Sequence, residues 1–137
     1  MASLLEEKDA IRELFARYCL LVDGARFEEW SELFSEDAVF EVPGVARLQG
    51  RTKILQFIRR IPLDERGLPG FKHCVLNEVI EVDGDQARAE SSLVLLRNAT
   101  PVHIEIAGRY HDELVREDGR WRFRSRTVAI ELGSLGA

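Results

Sequence analysis

The sequence predicts an α+β fold: a cone-shaped, curved antiparallel sheet covered by three N-terminal helices, with a small-molecule pocket between them. Three observations predict it. Apolar residues recur at helical spacing through the N-terminal part of the chain. From Phe71 onward the chain reads as strands, punctuated by Asp83-Gly84 and Asp118-Gly119 at hairpin positions. Helices followed by strands in this order must cover one face of the sheet, and a strongly curved sheet closed by helices leaves a concave, mostly apolar site.

The first helix starts at a capping-box pattern, Ser3 followed by Glu6, and carries Ile11, Leu14, Phe15, Tyr18, Leu21 and Val22 on its apolar face. It is expected to run to about Val22, with Gly24 supplying a left-handed residue after Asp23. A second, short helix has Phe27, Trp30, Leu33 and Phe34 on one side and closes at Asp37, after which Ala38, Val39 and Phe40 read as extended chain. Pro43-Gly44 marks a turn. Gly50, Arg51 and Thr52 lead into a third helix with Ile54, Phe57, Ile58 and Ile61 on one face, ended by Pro62. Residues 64–70 have turn composition and are read as a loop. Four strands over 71–82, 86–97, 102–116 and 121–132 then form an antiparallel meander, with Asn98 to Pro101 as the middle link.

A length of 137 residues suits one domain spanning 1–137. No apolar run is long enough to span a bilayer, and Met1 to Lys8 lack a basic segment followed by an apolar core, so a soluble, cytoplasmic protein without a membrane partner is expected. A net charge of −5 argues against nucleic acid as a partner. In the basic run from Arg120 to Arg126, strict alternation places Arg120, Arg122, Arg124 and Arg126 on one solvated or subunit-facing strand face, opposite Trp121 and Phe123. Cys19 and Cys74 have no partner at metal-ligand spacing and read as buried thiols. His103 and Glu105 share a strand face, but without a third ligand they read as solvated; His111 and Asp112 face two ways and form no site. No Gly-rich phosphate loop, Gly-x-Ser-x-Gly elbow or metal quartet occurs, so neither a cofactor nor a metal is predicted.

Several motifs in order resemble the SnoaL-like branch of the nuclear-transport-factor-2-like superfamily across nearly the whole chain. They are Ile11-Arg12-Glu13-Leu14, Ala16-Arg17-Tyr18, Val22-Asp23, Trp30 to Phe34, and Asp37-Ala38-Val39. Downstream come Gly50-Arg51, Lys72-His73 ahead of Asn77, Val82 to Asp85, Gly108-Arg109-Tyr110, and Asp118-Gly119 before Trp121. The superfamily holds varied enzymes and non-catalytic scaffolds, so the fold alone gives no function. Within this branch the sequence is most similar to cofactor-independent lyases such as scytalone dehydratase, hexachlorocyclohexane dehydrochlorinase and bile-acid 7α-dehydratase. That resemblance implies a pocket histidine, His73, oriented by an aspartate, Asp23, with Tyr18 also lining the pocket. It further implies a homodimer or homotrimer built through the sheet.

The sequence also departs from those enzymes. Arg97, or its neighbour Leu96, stands where scytalone dehydratase has a second histidine; Val42 stands at its pocket tyrosine and at the general-base aspartate of ketosteroid isomerases; Tyr110 stands at a pocket asparagine. The Asp-Arg-Asp set of limonene epoxide hydrolase is not evident.

An imidazole held by a carboxylate at one ring nitrogen keeps one tautomer and leaves the other nitrogen free to take a proton. The resemblance thus casts His73 as base and Asp23 as orienter. Asp23 also sits at a helix C-terminus, where the dipole disfavours a negative charge and a protonated His73 would compensate. A structural histidine capped by a backbone carbonyl is the alternative. Tyr18 is either a group that polarises a substrate oxygen or a core tyrosine. Arg97 shares a strand face with Ser91, Leu93 and Leu95, and binds an anionic group if that face looks inward. Tyr110 and Val42 are lining residues, with Phe15, Trp30, Phe34, Val75 and Leu93 as further apolar liners. The expected function is a lyase of dehydratase or dehydrohalogenase type acting on a small apolar ring compound. The alternatives are a non-catalytic binding or assembly module, like the small subunit of ring-hydroxylating dioxygenases with Arg122, Arg124 and Arg126 as its interface, or a polyketide cyclase or isomerase.

Overall fold

The computed structural model describes residues 2–135. Helix α1, Leu4–Asp23, opens on a complete capping box: the Ser3 hydroxyl accepts from the Glu6 amide at 3.2 Å, and the Glu6 carboxylate accepts from the Ser3 amide at 3.3 Å. Its buried stripe is Ile11, Leu14, Phe15, Tyr18, Cys19 and Val22. The helix continues one residue beyond Val22, which carries Asp23 into its last turn. The left-handed residue at its end is Ala25 (φ 59°) and not Gly24 (φ −91°), because the Gly24 amide still bonds the Leu20 carbonyl.

Helix α2, Phe27–Ser31, is shorter than its apolar spacing implies. Leu33 closes on the Trp30 carbonyl, and the Leu33 carbonyl then accepts from the Phe123 amide, which draws the chain into the sheet. Phe34 therefore opens strand β1, Phe34–Val42, instead of ending a helix. Strand β2 is Ala46–Gln49 and helix α3 is Arg51–Ile58. Strands β3, Phe71–Asp83, β4, Gln86–Arg97, β5, His103–Glu117, and β6, Arg120–Gly133, follow the expected meander to within about one residue at each end. One sheet of six strands results, in the order β2-β1-β6-β5-β4-β3. It is mixed, because β1 runs parallel to β6. Among the described residues no helix is long and apolar enough to cross a membrane.

The sheet curls because its register slips repeatedly, at Leu76/Val79, Leu95/Leu96, Ala107/Gly108 and Glu113/Leu114. Each slip adds an unpaired residue and local twist. At Gly108 the strands approach so closely that a Cβ would lie 2.1 Å from the Ala129 carbonyl oxygen.

The slip opposite Glu113/Leu114 changes the reading of β6. Phe123 pairs with Leu114 and Ser125 with Glu113, so Arg124 is the extra residue and the alternation changes phase there. Trp121 and Phe123 point inward, and so do Arg126 and Val128. Arg126 therefore leaves the arginine face that strict alternation gave it and is 1% exposed, while Arg120 and Arg124 remain outside. Its Nε and Nη2 donate to Asp112 Oδ1 and Oδ2 at 2.8 and 3.0 Å. Asp112, read as part of no site, is the buried counterion.

Breaking a buried pair strands the remaining charge. Asp112→Ala is expected to lower unfolding stability by about 3–5 kcal/mol in urea titrations. The charge-free pair Asp112→Leu with Arg126→Met should recover most of that loss. A single-variant loss below about 1 kcal/mol, the range of exposed ion pairs, contradicts the assignment.

Candidate functional site

A cavity of about 580 Å³ lies between the concave sheet face, the C-terminal half of α1, and α3 with the loop that follows it. Its inner wall includes Tyr18 of α1, Trp30 of α2 and Val42 of β1. His73 of β3, Leu93 and Arg97 of β4 and Tyr110 of β5 complete the set of expected liners that reach it. Three expected liners do not. Phe15 and Phe34 pack on Phe123 beneath the floor, at ring separations of 5.8 and 5.3 Å, and Val75 packs against the core instead of the cavity.

Asp23 stands behind the wall and grips His73 twice. Its Oδ1 lies 2.7 Å from His73 Nδ1, and its Oδ2 accepts from the His73 backbone amide at 2.9 Å. Both side chains are largely buried, at 13% and 14% exposure. A carboxylate accepts only, so Nδ1 carries the proton and the lone pair resides on Nε2. The ring orientation is further fixed by two perpendicular neighbours, Phe71 at 4.8 Å and Tyr18 at 6.1 Å between centroids.

Beneath Tyr18 and Tyr110 sits the Arg126 guanidinium. Its central carbon lies 3.5 Å from the Tyr110 ring centroid, 4.3 Å from those of Tyr18 and Phe123, and 5.3 Å from that of Phe15. Burial works against the charge, but the Asp112 carboxylate beside it opposes that cost, so its pKa stands above the ordinary value and Arg126 stays cationic. Its Nη1 has no hydrogen-bond partner among the described residues. Burial pushes the Tyr18 phenol up to about 12 against the opposing pull of Arg126, and burial together with Tyr18 lifts Tyr110 well above its ordinary value. Both phenols are therefore protonated donors beside a fixed positive charge.

At the mouth, Arg97 is held through all three of its guanidinium nitrogens by two partners. Its Nη2 and Nε donate to Glu105 at 2.6 and 3.3 Å, and its Nη1 donates to the Pro69 carbonyl at 3.3 Å. Glu105 is not the solvated residue that pairing it with His103 implied. Leu95 pairs with Ile106 and Leu96 with Ile104, so Glu105 is the extra residue of a bulge and turns toward Arg97. No group of three His, Cys, Asp or Glu side chains among the described residues is arranged to hold a metal.

The sequence reading missed Arg126, Asp112, Glu105 and Phe71. Only Asp112 carried a signal, since it lies two residues from the inward Tyr110 on an alternating strand.

A curved sheet covered on one face by helices is the architecture of the nuclear-transport-factor-2-like, cystatin-like fold. The chain belongs to the SnoaL-like domain family, which matches residues 3–127. It is similar in structure to a nuclear-transport-factor-2-like protein with a cystatin-like fold from Novosphingobium aromaticivorans, at TM-score 0.84 and 32% identity over 98% of this chain and 88% of that one. A candidate scytalone dehydratase from the same organism superposes at TM-score 0.82 with 25% identity, covering 97% of this chain and 95% of that chain. The β subunit of the methanesulfonate monooxygenase hydroxylase of Methylosulfonomonas methylovora is 25% identical over 95% of this chain and 83% of its own.

The chain's two tyrosines are Tyr18 and Tyr110, so titration reads this cluster alone. An acid with a folded pKa near 12 and an unfolded value of 10 favours the fold fully below pH 10 and loses that contribution as pH rises toward 12. At about pH 10, where an exposed tyrosine is half ionised, the ultraviolet phenolate band should be nearly absent and should appear only with alkaline unfolding. Half-ionisation at that pH in the folded protein would contradict the buried cluster.

Proposed function

We propose that this protein is a cofactor-independent lyase, of dehydratase or dehydrohalogenase type, acting on a small apolar ring compound. The observation that carries the reading is the contact between His73 Nδ1 and Asp23 in the wall of an apolar cavity. With Nδ1 protonated, His73 Nε2 takes a proton from a substrate carbon. The C–H electron pair becomes the new C=C bond, and the bond from the adjacent carbon to hydroxyl or halide breaks with its electrons going to the leaving group. Asp23 stabilises the imidazolium formed, and that cation relieves the carboxylate's unfavourable place at a helix C-terminus.

The leaving group must be met by a donor. Tyr18 and Tyr110 line the cavity as protonated phenols, whose O–H groups can donate to negative charge developing on oxygen or halogen. For dehydration, a phenol or the imidazolium returns a proton to the departing hydroxyl, so that water leaves. Arg97 has a smaller part here than its place at the mouth first implies, because Glu105 matches its charge.

A second reading, an assembly subunit without chemistry, is favoured by the similarity to the β subunit of methanesulfonate monooxygenase hydroxylase. It loses one support here, since Arg126 is buried and cannot belong to an arginine interface.

Purified protein assayed with a panel of cyclic alcohols and halides separates the two. His73→Ala should lower elimination by about 10²–10⁴-fold, and Asp23→Asn should lower kcat with substrate binding kept, because the imidazole loses its tautomer but not its place. Full activity in His73→Ala, or no elimination by the wild-type protein on any member of the panel, sinks the lyase reading.

A further inference from the structure

Among the described residues, the charges around the cavity are matched in pairs, with one exception. At the mouth, Arg97 is matched by Glu105 at 2.6 Å, and Asp64 by Arg66 at 2.9 Å. Asp64 is also held by the amides of Arg66 and Leu68, at 2.8 and 3.2 Å. Beneath the floor, Arg126 is matched by Asp112. The exception is Asp23, whose carboxylate stays unmatched while His73 is neutral. Among the described residues, an anion entering this site meets no unmatched cation in the lining and, while His73 is neutral, approaches the Asp23 carboxylate in a low-dielectric wall. A neutral molecule meets neither cost.

Glu105 decides this balance without lining the cavity. Its side chain is 13% exposed against 32% for Arg97, so the acid is the deeper member of the pair. Arg97 is also held by the Pro69 carbonyl and by its stacking over Phe71, 5.6 Å from the ring centroid, so its guanidinium keeps its place when the carboxylate is removed. We infer that the cavity selects electrically neutral ligands, and that Glu105 is the residue that sets this selectivity by cancelling Arg97 at the mouth. The inference rests on the reading of the cavity as the substrate site, and it narrows the substrate to compounds without a carboxylate, phosphate or sulfate group.

The test uses two probes of nearly equal shape, 2-acetylnaphthalene and 2-naphthoate, with binding followed by probe fluorescence and calorimetry. The wild-type protein should bind the neutral ketone at least about tenfold more tightly than the carboxylate. Glu105→Gln should raise naphthoate affinity by about tenfold or more, with the gain shrinking as salt rises, and leave the ketone within about twofold. Arg97→Gln tests the opposite sign: with Glu105 unmatched, naphthoate should bind more weakly than to the wild type. The double variant should return to wild-type preference. Equal binding of both probes by the wild type overturns the inference, as does a Glu105→Gln variant that keeps the ketone and gains nothing for naphthoate. If neither probe binds the wild-type protein, the inference falls together with the cavity as a ligand site. The elimination assays on His73→Ala test the lyase reading separately.

Discussion

Arg126 carries a positive charge into a layer otherwise built of aromatic rings, and three parts of the molecule meet on it. Asp112 of β5 holds it from one side in a bidentate pair. Phe15 and Tyr18 of α1 pack over it, and Tyr110 of β5 and Phe123 of β6 close the cage. Desolvating such an ion is expensive, and it persists only where its partners are well placed. The position of α1 on the sheet, the floor of the cavity and the environment of both phenols thus depend on one side chain.

That side chain is inside only because β6 slips register at Arg124. The same device shapes the rest of the cone. Each slip bends the sheet, and the bent sheet cannot be filled by its own side chains, so a cavity remains under α3 and its following loop. His73 and Asp23 meet across this architecture, one on β3 and the other at the end of α1. Asp23 accepts from both the ring and the backbone amide of His73, so the dyad also fastens the helix end to the strand. Any change that shifts α1 on the sheet therefore reaches the imidazole directly.

The parts of this structure that follow local rules were legible in the sequence. The capping box at Ser3, the Asp-Gly hairpins and the strands beginning at Phe71 and Gln86 depend on nearest neighbours, and the resemblance that named His73, Asp23 and Tyr18 depends on short motifs. What escaped depends on pairing between strands. Alternation holds only while register holds, so one extra residue at Arg124 moved Arg126 inside, and one at Glu105 turned an expected solvated acid toward Arg97. Phe34 escaped for a related reason: its helical spacing from Trp30 was genuine, but the Phe123 amide captured the Leu33 carbonyl and ended the helix. Asp112 was within reach, because Tyr110 facing inward implies that its alternate neighbour does as well.

The cost of the polar cluster bears on whether the cavity is used. Arg126 Nη1 and the Trp30 indole nitrogen are buried without partners, and Ser91 Oγ is a third such atom among the described residues. Unpaired buried donors cost stability, and a buried ion pair can often be replaced by apolar side chains with no loss. A scaffold whose only task was to present its outer surface to a partner would be at least as stable with Leu and Phe at these positions. Tyr18 and Tyr110 instead present two protonated phenols in the cavity wall, backed by the Arg126–Asp112 pair and close to His73 and Asp23. These donors are fixed before any ligand arrives, which supports the proposed elimination, where a departing group has to be met by a donor.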